Sequence, residues 1–201
     1  MGNHSLMKEL GSRAADFSLP DPSGRVYSLR DFASSRGLLV AFICNHCPFV
    51  QHMIGGFAGF AREYAPKSVA VVAISSNDVL SHPDDAPPLM AEFARKHRFV
   101  FPYLYDESQR VALAYQAVCT PDFFLYDAQQ RLVYRGQFDA SRPYTEWDVK
   151  AGRTPNRAPN DGADMRKAAD ALLAGGPPLA EQRPAMGCSI KWKAENEPAW
   201  S

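Results

Sequence analysis

The chain alternates apolar runs of strand length with stretches of helical spacing. Leu38 to Ile43 is uninterrupted and apolar, as expected of a strand buried on both faces of a parallel sheet, and Val69 to Ile74 repeats the pattern. Between them Phe49, Val50, Met53, Phe57, Phe60, Ala61 and Tyr64 recur at three-to-four spacing, the signature of one helix face. Pro48 suits the first turn of that helix and Pro66 its end, while Gly55, Gly56 and Gly59 mark a bend or close packing. A second helix follows Pro87-Pro88, carrying Leu89, Met90, Phe93 and His97 on one side. Phe101–Tyr105 reads as a short strand. Asp106 and Gln109 read as a capping box for a third helix through Val111, Ala114, Tyr115 and Val118. Phe123–Tyr126 and Leu132–Tyr134 form a hairpin, and Met165–Leu173 a last amphipathic helix stopped by Gly175-Gly176-Pro177-Pro178.

Residues 13–30 add a hairpin in front, turning at Asp21-Pro22-Ser23-Gly24. Residues 139–160 form a polar loop, and 179–201 a tail without clear periodicity. The resulting order, a hairpin and then β-α-β-α-β-α-β-β-α, predicts an α/β fold: a mixed central sheet flanked by helices. We read one domain over residues 1–201, with a core at about 13–175 and a tail at 176–201.

Composition narrows the function classes. The 201 residues are 46% hydrophobic and 22% charged, ordinary for a globular chain. Lys plus Arg and Asp plus Glu are both 22, so the basic excess of a nucleic-acid binder is absent. The apolar runs are too short to span a bilayer, and the first residues lack a signal-peptide pattern, giving an expectation of a cytoplasmic protein with no membrane partner.

Four cysteines, Cys44, Cys47, Cys119 and Cys188, are too few for a disulfide scaffold in this length. In a reducing compartment a Cys-x-x-Cys is catalytic or metal-binding more often than structural. Cys44-Asn45-His46-Cys47 ends the first buried strand and precedes Pro48. With Pro48 as the first helical residue, Cys47 falls at the N-cap, where unpaired N–H groups and the helix dipole favour a thiolate. Cys47 is then the candidate nucleophile and Cys44 the resolver. A protonated His46 would lower the Cys47 pKa further. A second reading makes Cys44, His46 and Cys47 ligands of a metal-binding or metal-delivery module, with a fourth ligand from His52, Cys119 or Cys188. Cys119 is either a buried small residue or a group near the pair. Cys188, in the tail, reads as a free thiol, with folding back as an additional redox partner as the alternative. Arg142 reads as a solvated loop residue.

Three stretches carry a resemblance: Ala14 to Asp21, Phe42-Ile-Cys-Asn-His-Cys-Pro48 and Val118-Cys-Thr-Pro-Asp-Phe-Phe-Leu-Tyr-Asp127. Together they resemble the thioredoxin superfamily, in its peroxiredoxin-like branch related to alkyl hydroperoxide reductase and thiol-specific antioxidant proteins. Gly187-Cys-Ser-Ile-Lys-Trp192 is similar to a recurring tail of that branch. The resemblance implies a thioredoxin-like fold and a cis-proline loop at Thr120-Pro121, whose Thr120 backbone can pair with a substrate strand. It implies thiol–disulfide oxidoreductase chemistry, with possible antioxidant peroxide reduction, no cofactor, a protein or small-molecule disulfide or a peroxide as substrate, and a thiol reductant.

The chain also departs from the branch. Thioredoxins carry the nucleophile first in the C-x-x-C; aligned on strand ends, Cys47 takes that place, Val50 replaces the resolver, and Cys44 lies upstream. The simpler register reverses the two roles, and the helix start at Pro48 favours the first. A peroxiredoxin carries a threonine three residues before its peroxidatic cysteine and an arginine beside the later strand. Here those positions are Cys44 and the arginine-free Cys119-Thr120-Pro121.

Overall fold

A computed structural model describes residues 2–200, the Trp147 side chain excepted. The strands are β1 (Asn3–His4), β2 (Ser18–Pro20), β3 (Val26–Ser28), β4 (Gly37–Phe42), β5 (Val69–Ser75), β6 (Tyr103–Tyr105), β7 (Cys119–Thr120), β8 (Asp122–Asp127), β9 (Leu132–Arg135) and β10 (Met186–Ser189). The helices are α1 (Pro48–Tyr64), α2 (Pro87–Lys96), α3 (Arg110–Tyr115), α4 (Glu146–Lys150) and α5 (Ala163–Leu173).

The central sheet runs β6-β5-β4-β8-β9. β4 pairs parallel with β5 and antiparallel with β8, so it lies in the middle with every residue buried. Its continuous apolar run is divided by the strand's period of two between two cores. Leu39, Ala41 and Ile43 face α1, α2 and α5, with Phe57, Phe93 and Met165. Leu38, Val40 and Phe42 face α3 and the N-terminal hairpin, with Tyr115, Phe17 and Leu19.

The amphipathic spacing of α1 places Val50, Met53, Phe57, Phe60 and Tyr64 inward. Phe57 anchors the layer, its ring 5.3 Å from Phe101, 5.7 Å from Phe123 and 5.9 Å from Phe138. Of the three helix glycines, Gly56 packs closely: a Cβ there would lie 3.1 Å from the Asn160 carbonyl oxygen. The helix runs through all three without interruption.

Three expectations need correction. The third strand is shorter than Phe101–Tyr105, beginning at Tyr103. Asp106 and Gln109 form no capping box: Gln109 is itself the N-cap, at φ 61°, and Asp106 reaches the Ala112 N–H (3.0 Å) and the Ser76 hydroxyl (2.9 Å). The Gln109 side chain instead donates to the carbonyls of Ser76 (2.7 Å) and Lys191 (2.9 Å), tying in the tail.

The tail is the largest difference. Far from trailing without structure, it forms β10, which pairs antiparallel with both β1 and β7. Its anchoring is by backbone and buried polar groups, which leave no hydrophobic period to read. Ser5 N–H donates to the Ala185 carbonyl (2.9 Å), Ile190 N–H to Val118 (3.1 Å), and Lys191 N–H to Asn77 Oδ1 (2.9 Å).

Candidate redox site

The end of β4, the start of α1 and the β7–β8 turn meet at one point. The Thr120–Pro121 bond is cis, as the resemblance implied. Thr120 faces both cysteines: the Cys44 thiol lies 3.3 Å from its hydroxyl, and the Cys47 Sγ 3.0 Å from its carbonyl oxygen. Cys44 thus stands near Thr120 where a peroxiredoxin threonine was expected in the sequence.

Cys47 is the N-cap of α1, with Pro48 following. It makes no side-chain cap hydrogen bond, and its pKa is lowered by neighbouring thiol and backbone N–H groups. The Cys188 thiol is the strongest, then the Cys44 thiol, with the backbone N–H groups of Val50 and Cys188 behind them. Burial opposes ionisation, and the Thr120 carbonyl suits only the protonated thiol. The thiol and N–H influences outweigh both, and hold the Cys47 pKa well below that of a free thiol. Cys44 is pushed the other way, first by its hydrogen bond to Cys47, then by burial and the nearby Asp85 charge. The surroundings therefore push the two thiols in opposite directions, Cys47 toward the anion and Cys44 away from it.

His46 pairs with Asp85, with a ring nitrogen within 4.8 Å of the Cys44 sulfur. Its Nδ1 lies 2.7 Å from Asp85 Oδ2, and this hydrogen bond raises its pKa against the opposing effect of burial. His82 stacks on it, with ring centroids 5.2 Å apart. Asp85 is fully buried. Besides His46 it accepts from Asn45 N–H (2.7 Å) and Asn77 Nδ2 (2.7 Å). It is the hub that fixes the Cys-Asn-His-Cys turn, and nothing in the sequence singled it out.

Cys119 is buried, with its thiol 3.5 Å from the Pro121 carbonyl oxygen; burial, then Asp122, then Cys47 raise its pKa. Cys188 is a free thiol, as read, and the tail folds back so that its pairing with Thr120 in β10 packs it against the cluster that holds Cys47. Arg142 is half-buried rather than solvated. It lines a small cleft with Phe49, Pro121 and Met186, its guanidinium engaged by Gln137 Oε1, the Asp139 carbonyl and the Ser141 carbonyl.

The metal ligand set expected from the sequence is not the one assembled. Cys44, His46 and Asp85, rather than Cys47, have ligand atoms within 4.8 Å of one another. Both Asp85 oxygens already accept hydrogen bonds, and His46 Nδ1 is paired with one of them. Such a cluster suits a hydrogen-bonded charge pair better than a vacant ligand set.

Both cysteines of the pair are sealed from solvent, Cys47 at 0% and Cys44 at 1% exposure. The sequence placed them at a strand-to-helix junction and said nothing of a cover. The cover includes β10, which packs against α1 and pairs with β7. Among the described residues no helix is long and apolar enough to cross a membrane.

A strand–cysteine–helix junction facing a cis-proline defines a thioredoxin-fold redox protein. The model of the AhpC/TSA family matches residues 10–135, and the chain belongs to that family. It is 46% identical to a hypothetical protein from Sinorhizobium meliloti, covering 95% of this chain and 98% of that one, with a TM-score of 0.88. It is 44% identical to an uncharacterized conserved protein from Geobacillus kaustophilus, covering 96% and 97%, with a TM-score of 0.89. The peroxidoxin BcpB of Mycobacterium tuberculosis shares the fold at 21% identity and a TM-score of 0.57, covering 83% and 96%. No curated protein matches. Family and fold together support an oxidoreductase.

Proposed function

We propose that the protein is a thiol–disulfide oxidoreductase with Cys47 as nucleophile and Cys44 as resolver. The observation carrying this reading is the placing of the two thiols: Cys47 at the N-cap of α1 and Cys44 at the end of β4 both face Thr120 beside the cis-proline, and their surroundings push the Cys47 pKa down and the Cys44 pKa up. The Cys47 thiolate attacks one sulfur of a substrate disulfide and releases the other as a thiolate. Cys44 then attacks the Cys47 sulfur, frees the reduced product and leaves a Cys44–Cys47 disulfide, which an external thiol resets. The partners are protein or small-molecule disulfides and a thiol reductant, in a reducing compartment such as the cytoplasm. Thr120, beside the cis-proline, lies on a strand edge that a substrate backbone takes by displacing β10, and His46 with Asp85 positions the turn.

Family membership favours a second reading, in which Cys47 takes an oxygen from a peroxide to become a sulfenic acid that Cys44 condenses with, releasing water. The cysteine at position 44 and the engaged guanidinium of Arg142 leave this reaction without its usual peroxide-orienting groups. Turnover of a protein disulfide and of hydrogen peroxide, compared in wild type, Cys44→Ser and Cys47→Ser, tests both readings. Cys47→Ser abolishes turnover, and Cys44→Ser removes the Cys44–Cys47 disulfide from the cycle. Unchanged thiol chemistry in both variants overturns the proposal. Stoichiometric metal in the purified protein, with both thiols protected, supports a metal-delivery module instead.

A further inference from the structure

We propose that Cys188 is a second disulfide partner of Cys47, delivered by β10, which occupies the Thr120 edge as an internal substrate strand. The inference rests on the assignment of Cys47 as nucleophile and goes beyond it. An incoming substrate would pair its backbone with the residue before the cis-proline. That edge is already taken: Cys188 pairs with Thr120, and Ser189 with Cys119, in antiparallel register. The pairing packs Cys188 against the cluster that holds Cys47, whose sulfur lies 3.0 Å from the carbonyl oxygen of the same Thr120.

The fit depends on a glycine. A Cβ at position 187 would sit 2.0 Å from the Thr120 carbonyl oxygen and 2.4 Å from its carbon, so only glycine permits this approach. The strand is held from both ends, by Asn3 Nδ2 on Ser189 Oγ (2.9 Å) and by the Lys191 and Ala185 anchors. Cys188 itself is only partly buried, so it links the sealed Cys47 to the surface.

The chemistry orders itself in time. While Cys47 is an anion, its hydrogen bond and charge keep the Cys188 thiol protonated, with burial assisting. Once Cys47 is bonded to another sulfur the anion is gone and that restraint is lifted. The Cys188 thiolate then attacks the Cys47 sulfur. The new S–S bond forms as the bond from Cys47 to its partner breaks, and the partner leaves as a thiolate that takes up a proton. If the partner is Cys44, the step is an internal exchange with no net redox change. If it is an external thiol, the external disulfide has gained two electrons and two protons and the protein has lost them.

The test uses the full chain with Cys44→Ser, cystamine as the disulfide probe, and peptide mapping without reductant. Trypsin separates the two partners, cleaving after Arg36 and Arg62 around Cys47 and after Lys167 and Lys191 around Cys188. The expected result is a cross-link between these two peptides, with two cysteamines released per chain and no adduct retained. Adding Gly187→Val, which drives β10 off the Thr120 edge without touching a cysteine, lowers the cross-link at least ~10-fold and leaves cysteamine on Cys47. A stable cysteamine adduct on Cys47 with Cys188 free, in the Gly187-containing protein, overturns this inference and spares the nucleophile assignment. An unmodified Cys47 overturns both. Should Cys44→Ser not fold, the wild type carries the same test: a Cys47–Cys188 cross-link coexisting with the Cys44–Cys47 disulfide supports the exchange, and the latter alone refutes it.

Discussion

Replacing Asp85 by asparagine tests whether a buried carboxylate holds the cysteine turn in place. Asp85 takes three close hydrogen bonds, from Asn45 N–H, His46 Nδ1 and Asn77 Nδ2, each at 2.7 Å. An amide at this position has one acceptor oxygen. If that oxygen keeps Asn45, the amide nitrogen faces His46, which can accept as a neutral ring, and Asn77, which cannot. Asn77 cannot rotate to help, because its Oδ1 already accepts from Lys191 N–H. One buried donor left unpaired costs ~1–3 kcal/mol, and losing charge assistance on the remaining bonds adds about 1 kcal/mol. The sum, ~3 kcal/mol, corresponds to a Tm lowered by ~6–12 °C for a chain of this size.

The pH dependence has a sign. The Asp85 pKa is lowered: burial raises it, but the His46 and Asn77 hydrogen bonds prevail. Its contribution is therefore present above the ordinary carboxylate range and lost as pH falls through the folded value. The His46 pKa is raised, so its contribution is complete below the ordinary imidazole value and lost as pH rises through the folded one. The gap between wild type and Asp85→Asn is widest between these limits, at roughly pH 5–6. Thermal unfolding across pH, with an NMR titration of the His46 ring, checks it. A loss below about 1 kcal/mol, or a His46 titration that does not move down, refutes the role given to Asp85.

Three further outcomes follow from the same structure. Asp122 is fully buried and its pKa is pushed up to about 8 by desolvation, against hydrogen bonds from Val118 and Phe123 N–H. The folded chain keeps this proton and the unfolded chain releases it near ~3.9, so stability falls as pH rises between the two values. Asp122→Asn therefore gains on wild type in Tm from about pH 4.5 to about pH 8.5, and a constant difference contradicts the assignment. Phe57→Ala empties the space between three rings and costs ~3–5 kcal/mol, read by denaturant unfolding; a loss under ~1 kcal/mol would mean the layer repacks. The Cys44→Ser and Cys47→Ser turnover comparison separates resolver from nucleophile.

The parts of the fold legible in the sequence are those fixed by local pattern. Leu38–Ile43 announces a strand buried on both faces, and the strand's period of two accounts for its division between two cores. Pro48 announces the start of α1 and so the placing of Cys47 at its N-cap. The cis geometry at Pro121 came from resemblance, since an X–Pro bond is cis only ~5–6% of the time. Asp85 was invisible because it meets Asn45 and His46 across about forty residues of chain, from a polar loop with no period. The tail was invisible for another reason. β10 is Met-Gly-Cys-Ser, held by backbone pairing and by the side chains of Asn3, Ser5, Asn77 and Gln109. Such bonds depend on position and leave no apolar signature. The Gly187-to-Trp192 resemblance and the fold-back alternative for Cys188 pointed to the tail, and the meaning of Gly187 emerges only once Thr120 is known to lie against it.

Site and strap together describe a redox centre that is formed but covered. An outside disulfide reaches Cys47 only when β10 lifts from Thr120, or acts through Cys188 at the surface end of the strand. The thiolate is therefore best observed without a reagent that must enter. Difference ultraviolet absorbance between wild type and Cys47→Ser, followed as pH is lowered under reducing conditions, reads the ionised sulfur directly. The predicted result is a full thiolate signal persisting at about pH 5, where a free cysteine is protonated. A signal that emerges only near the ordinary thiol pKa of ~8.5 would contradict the account.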